Sequence, residues 1–330
     1  DHADGFTGSI TMRTDGLDTT ARRPESRRMF RHAPHRSSRP DDRPDDALPP
    51  RALGALGKGE HVGVRPVADG PRDATLFEGY CHPGRARERG YGGAALAQAL
   101  AAAQHTVDPD ERRVHSLHAY FLRPLAPTRP ARYAVDHVRD GTGYSMRQVT
   151  ARQGGKEALT MSVSFKRPQP DGGWRQPGMP DVPGPDALDD GWAFRPTDHP
   201  LRTSLEYREV PRAAPHSGSG PIDRYAWIRT VGALPDDPAL HSAVLAYVSD
   251  APLAPTALVP YGEPRPARVA LASLDHAMWF HRPARCDDWL LYACRSTIAG
   301  DGRTLAHGEF WNRAGELVAS VAQEALLRVG

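Results

Sequence analysis

A carboxylate, a hydroxyl and an amide can together hold one water molecule: the carboxylate accepts its proton while the other two groups fix its direction. Asp250, Ser273 and Gln323 are candidates for such a set. They emerge when two segments of the chain with the same order of elements are compared, because a position that is polar in one and apolar in the other is not explained by the core. Asp250 ends the run AYVSD at the C-terminal end of an expected helix, where the helix dipole disfavours an anion by a few tenths to about 1 kcal/mol. Gln323, in LVASVAQEALLR, falls where Val163 stands once the hairpin glycines Gly155 and Gly315 are aligned. Ser273 and Asp275 open the second segment's SLDHAMWFHRP. Each also has a plain reading, Asp250 as a helix-end turn residue and Ser273 and Gln323 as exposed strand positions.

Other residues could serve a substrate. Where water attacks a carbonyl, negative charge builds on its oxygen, which backbone N–H groups at a helix start can stabilise. Gly92 and Gly93 permit close approach at one helix start and Asp236-Asp237 mark another, and spacing does not choose between them. His115 and His118, in VHSLH, are either hydrogen-bonded strand histidines or groups that face a substrate. No G-x-S-x-G elbow accompanies them, so a Ser/His/Asp triad is not expected. RGYGG lacks the GxxxxGK[ST] pattern of a phosphate loop, which argues against nucleotide hydrolysis. Arg123 and Arg282 are candidates for phosphate contacts.

The elements that must position these groups fit a chain of 330 residues with 39% hydrophobic content, enough to bury a sizeable core. The 42 basic and 40 acidic residues leave a charge of +2, all of it within residues 1–58 (11 basic, 9 acidic), so the remainder is neutral. A nucleic-acid partner is therefore not expected. Cys81, Cys286 and Cys294 are odd in number and lack CxxC spacing, and read as buried thiols; no metal or other cofactor is implied. Tyr91–Ala103, 13 residues, is taken as the only long apolar segment, below the roughly 20 a membrane span needs. Without an apolar run near the start, a cytoplasmic location is expected.

Residues 1–59 are rich in Arg, Asp and Pro and read as a flexible extension. Residues 60–168 and 201–330 each give a strand, one apolar helix and an antiparallel meander, joined by a Pro- and Gly-rich linker over 169–200. The expected helices are Ala94–His105 and Asp237–Ser249, the second started by Asp-Pro. SLHAYFLRP at 116–124 is echoed by SLDHAMWFHRP at 273–283, about 158 positions on. The class is α+β, with two related halves whose sheets could join edge to edge.

RGYGGAALAQALAAA (89–103), VHSLHAYFLRP (114–124), RDGTGYSMRQVTARQGG (139–155), AYVSD (246–250), LASLDHAMWFHRP (271–283), DDWLLY (287–292) and LVASVAQEALLR (317–328) together resemble the acyl-CoA thioesterase II family over about 75–329. The resemblance implies a double hotdog, oligomeric assembly, and hydrolysis of acyl-CoA by a water held by Asp, Thr or Ser, and Gln. Those positions fall on Asp250, Ser273 and Gln323. Ser273 stands where many members have Thr, and RERGYGG replaces RVFGGQ, which puts Ala94 at a polar position. An enzyme that releases or transfers an acyl chain from an acyl-carrier protein, and a silent acyl-binding protein, are the competing readings.

Overall fold

In a computed structural model the run GGAALAQALAAAQ forms helix α1 (Gly92–Gln104), and nearly every one of its side chains is buried. Alanine supplies the helix propensity and, being small, lets a second helix approach closely. The described residues are 62–67, 74–84, 88–170, 178–191, 200–212, 222–262, 266 and 268–330, so the extension expected over 1–59 lies outside them. They belong to one compact unit, Pro44–Gly330.

The first half contains β1 (Arg65–Pro66), β2 (Ala74–Gly79), α1, β3 (Arg113–Phe121), β4 (Ala131–Asp140), β5 (Tyr144–Gln153) and β6 (Lys156–Lys166). The second contains α2 (Pro200–Ser204), β7 (Leu205–Glu209), β8 (Ile222–Thr230), α3 (Pro238–Ser249), β9 (Val269–Ser273), β10 (Asp275–Phe280), β11 (Leu290–Gly300), β12 (Arg303–Asn312) and β13 (Leu317–Val329). All form one antiparallel sheet in the order β1-β2-β4-β5-β6-β3-β10-β13-β12-β11-β8-β7, with β9 beside β13. The order reads alike from both edges and its centre is the β3–β10 ladder. This is a double hotdog, with α1 packed on α3 inside the sheet.

The central strands of the two halves superpose in sequence at an offset of 159 rather than 158, and the hairpin glycines at 160. Leu117 and Ala119 face inward on β3, as His276 and Met278 do on β10, and Leu117 pairs with Met278 while Ala119 pairs with His276. His118 pairs with Ala277, its own equivalent, at the pseudo-twofold. The apparent match of His118 to His276 is thus a one-residue slip, which in a strand exchanges the two faces. Gly155 and Gly315 are equivalent hairpin residues with φ of 73° and 75°, a conformation that disfavours a side chain.

The strand expected as one piece over Val269–Arg282 is broken at Leu274. Leu274 N–H reaches Glu324 O at 2.9 Å and the Asp275 carboxylate accepts from Glu324 N–H at 2.6 Å, so β9 and β10 pair with β13 in registers one residue apart. The β3–β6 ladder has the matching irregularity between Val114 and Ser116. Such bulges re-aim side chains beside a site.

Tyr91–Ala103 is not the only long apolar segment. By length and composition Pro238–Tyr261, 24 residues, would also suffice to cross a membrane, but 72% of its apolar window is buried inside the protein. It comprises α3 and a 3-10 stretch, Ala254–Tyr261, and it is apolar all round because it lies in the core. Of the segment read as a linker, residues 178–191 hold a 3-10 turn at Pro185–Ala187. There Met179, Val182 and Leu188 cover Trp227, Trp289, Leu291 and Trp311 on the sheet, and Trp227 Nε1 donates to Pro183 O at 2.9 Å. The three cysteines are buried and free, and burial pushes the thiols of Cys81 and Cys294 up to about 12, away from reactivity.

Candidate active site

Helix α1 has no side-chain cap of its own, since Tyr91 at its N-cap offers none. Its Gly93 N–H is satisfied instead by Asp250 Oδ2 at 2.9 Å, a residue of the other half. Asp250 is the C-cap of α3, where its own helix repels it, so the positive end of α1 offsets the negative end of α3. The close approach this needs depends on glycine: a Cβ on Gly92 would lie 2.8 Å from Asp250 Oδ2, and one on Gly93 would lie 2.3 Å from Tyr247 O.

Two strands complete the cluster. β9 brings Ser273, whose hydroxyl donates to Asp250 Oδ1 at 3.2 Å. β13 brings Gln323, whose Nε2 donates to Asp250 Oδ1 at 2.8 Å and to Ser273 Oγ at 2.9 Å. Ser273 pairs with Ala325, so Gln323 is its diagonal neighbour on the same face. The carboxylate thus accepts three donors. With about four acceptor positions on an ionised carboxylate, one remains for a water. Gln323 Oε1, buried and without a partner among the described residues, is a further acceptor in the same cluster.

Behind the carboxylate lies a polar layer that sequence reasoning missed. Fully buried His276 bonds Ser249 Oγ through Nε2 at 2.8 Å, Ser249 hydroxyl donates to Ala246 O, and Tyr292 hydroxyl donates to Ser249 O, both at 2.8 Å. Tyr91 hydroxyl donates to Tyr247 O at 2.8 Å, and its ring meets that of Tyr247 edge-on. These bonds fix the last turn of α3, and with it Asp250. The signal was present in SLDHAM, but only a reader who placed the bulge at Leu274 would have turned His276 inward.

The structure brings Asp250, Ser273, Gln323, Gly92 and Gly93 together. It does not bring His115 or His118 to them. His115 sits at the bulge of β3, bonded to Ser164 Oγ at 2.8 Å, near the opposite end of the helix pair. His118 points to the outer face, its ring edge-on to Trp279. Of the two helix starts, only that of α1 meets Asp250. Arg123 donates to Glu157 O at 2.8 Å.

The pseudo-equivalent position lacks the set. His105 occupies the C-cap of α1, Val114 is the counterpart of Ser273 through its pairing with Phe165, and Val163 is the counterpart of Gln323. The bonded set of carboxylate, hydroxyl and amide is thus found, among the described residues, at the Asp250 end and not at its pseudo-equivalent.

Burial depresses the protonation of His115, His241, His276 and His281, taking His276 down to about 4, against which the nearby Asp250 charge works. A lowered folded value means that the unfolded chain binds more protons below the ordinary 6.5. Stability is therefore expected to be full above about pH 6.5 and to fall as the pH drops through 6.5 towards 4. Urea midpoints across that range test this, and a midpoint that rises on acidification contradicts it.

The family described as acyl-CoA thioesterase matches residues 196–326, and that described as acyl-CoA thioesterase N-terminal domain matches 83–166. Acyl-coenzyme A thioesterase 8 of Homo sapiens is 36% identical over 280 residues, 78% of this chain and 86% of the relative. Acyl-CoA thioesterase 2 of Haemophilus influenzae is 34% identical over 251 residues, 72% of this chain and 87% of the relative. The crystal structure of acyl-CoA thioesterase II TesB2 from Mycobacterium marinum superposes with a TM-score of 0.69 at 36% identity, covering 82% of this chain and 97% of that one. The chain therefore belongs to the acyl-CoA thioesterase family of thioester hydrolases.

Proposed function

We propose that this protein hydrolyses acyl-CoA to a free acid and CoA with a water activated by Asp250 and oriented by Ser273 and Gln323. The observation that supports it most is the shared amide: Gln323 Nε2 ties Asp250 Oδ1 to Ser273 Oγ, which leaves the carboxylate one acceptor position. In this reading water oxygen attacks the thioester carbon as Asp250 takes a water proton. The carbonyl oxygen becomes an oxyanion beside the positive end of α1. Collapse re-forms the carbonyl and breaks the C–S bond, and the proton passes from Asp250 to the departing CoA sulfur. Water and thioester give acid and thiol, and the carboxylate is restored.

Thiol release from a series of acyl-CoA esters, short to long, tests the reaction, with matching acyl-carrier-protein esters beside it. Turnover of acyl-CoA is expected; turnover confined to the carrier-protein esters, or absent from a folded protein, contradicts it. Ser273→Ala removes one charge-assisted bond to Asp250, about 1.5–2 kcal/mol, and should lower kcat about ten- to thirtyfold. Ser273→Thr keeps the donor and should stay within about threefold of wild type. Equal losses in the two variants would show that the hydroxyl does not act through this bond.

A further inference from the structure

The other end of the helix pair, where the pseudo-equivalent position lacks the catalytic set, is not closed. A cleft of about 1100 Å³ opens there between the start of α3, the end of α1 and strands β3 and β6. Its polar walls have a feature opposite to that of the carboxylate cluster, where the partnerless Gln323 Oε1 is an acceptor: here the partnerless atoms are donors. His241, 4% exposed, accepts Cys286 N–H at Nδ1, so its proton sits on Nε2, which has no partner among the described residues. Arg112 uses both terminal nitrogens, on Glu111 and on Gly141 O, while its buried Nε has none. Burying a donor without an acceptor is costly, and a bound acceptor would recover that cost.

The charge around these donors has the same sense. Of the three carboxylates lining the cleft, Asp237 caps Ala239 N–H and Asp236 pairs with Arg285, which leaves Asp110. Arg113 and Lys166, side by side across the β3–β6 ladder, have no ion pair among the described residues. The N-terminus of α3 adds a partial positive charge. Val107, Phe280 and Leu317 supply an apolar wall, and the volume is well beyond that of a single inorganic anion.

We propose that this cleft is a second, non-catalytic site for a phosphorylated organic anion of nucleotide size. Its phosphates meet the donors of Arg112 and His241 and the charges of Arg113 and Lys166, while the organic part lies on the apolar wall. The proposal does not rest on the assignment of Asp250, and its test is separate from hydrolysis.

The test is calorimetric titration of the full chain with ADP, inorganic pyrophosphate and adenosine, in wild type and in the double variant Arg113→Glu, Lys166→Glu. Both substitutions are at the rim, so unchanged circular dichroism and melting temperature establish folding. Saturable binding of ADP, lowered at least about tenfold by the double variant, is the expected result, with adenosine bound at least about tenfold more weakly than ADP. Pyrophosphate should bind more weakly than ADP, and pyrophosphate binding as tight as ADP overturns the apolar wall as part of the site. In wild type, the side-chain NMR resonance of His241 Nε2–H should shift on ADP addition. No saturable binding of ADP or pyrophosphate up to about 5 mM overturns the proposal, as does binding that the double variant leaves unchanged. The double variant should keep its KM for acyl-CoA within about twofold, and a rise in parallel with the lost ADP affinity overturns the site as a separate one.

Discussion

Asp250→Asn is expected to lower kcat for acyl-CoA hydrolysis by about 10²- to 10⁴-fold, the range of a positioned general base. Asparagine is nearly isosteric and can still accept from Gln323 and Ser273 through its oxygen, but it cannot take a proton from water. Its amide nitrogen would face the Gly93 N–H, donor against donor, where Asp250 Oδ2 now accepts at 2.9 Å. Loss of that cap should cost a further 0.5–2 kcal/mol or about that in stability, read as a lower urea midpoint. Thiol release and KM are measured together: KM should change little, because the lost interaction belongs to the transition state. A variant that retains a tenth or more of the wild-type kcat would remove Asp250 as the base.

The second large effect divides two adjacent glycines. Gly93→Ala would set a Cβ 2.3 Å from the Tyr247 carbonyl oxygen and 2.6 Å from the Tyr91 ring. Backbone cannot yield as a side chain can, so α1 and α3 must separate, and overpacking of this kind costs about 1–3 kcal/mol or more. Gly92→Ala meets a side-chain atom instead, Asp250 Oδ2 at 2.8 Å. That variant should fold with a nearly wild-type melting temperature and lose activity as the carboxylate is displaced. Thermal melts and thiol release on both variants make the comparison. Equal melting temperatures for the two would contradict the close helix contact at Gly93.

Much of this was legible in the chain itself, for identifiable physical reasons. Two apolar helices, the meander strands and the hairpin glycines follow from period-2 alternation and from turn residues that tolerate positive φ. Gln323 was visible as a polar position whose counterpart, Val163, is apolar, Asp250 as a helix-end carboxylate that the first helix lacks, and Ser273 through the family resemblance; in the structure Val114 and Val163 stand opposite Ser273 and Gln323. What escaped depended on phase. The strand bulges at Leu274, so His276 turns inward, and the central strands match at an offset of 159. The matching bulge beside His115 and the outward parity of His118 take both histidines away from the carboxylate. The bond from Gly93 to Asp250 spans 157 positions and arises from packing of the two helices, which no local pattern encodes. The same holds for the basic cleft, whose walls come from α1, α3, β3 and β6.

The central claim is that Asp250 activates water and does not itself attack the thioester. A single turnover of acyl-CoA with excess enzyme in ¹⁸O-water tests it directly, with mass spectrometry of both the released acid and the peptide that contains Asp250. The account predicts one ¹⁸O in the acid from the first turnover and none in the Asp250 carboxylate. Unlabelled acid from that turnover, with ¹⁸O appearing in Asp250, would mean an acyl-enzyme anhydride opened by water at the aspartyl carbon, and would contradict it.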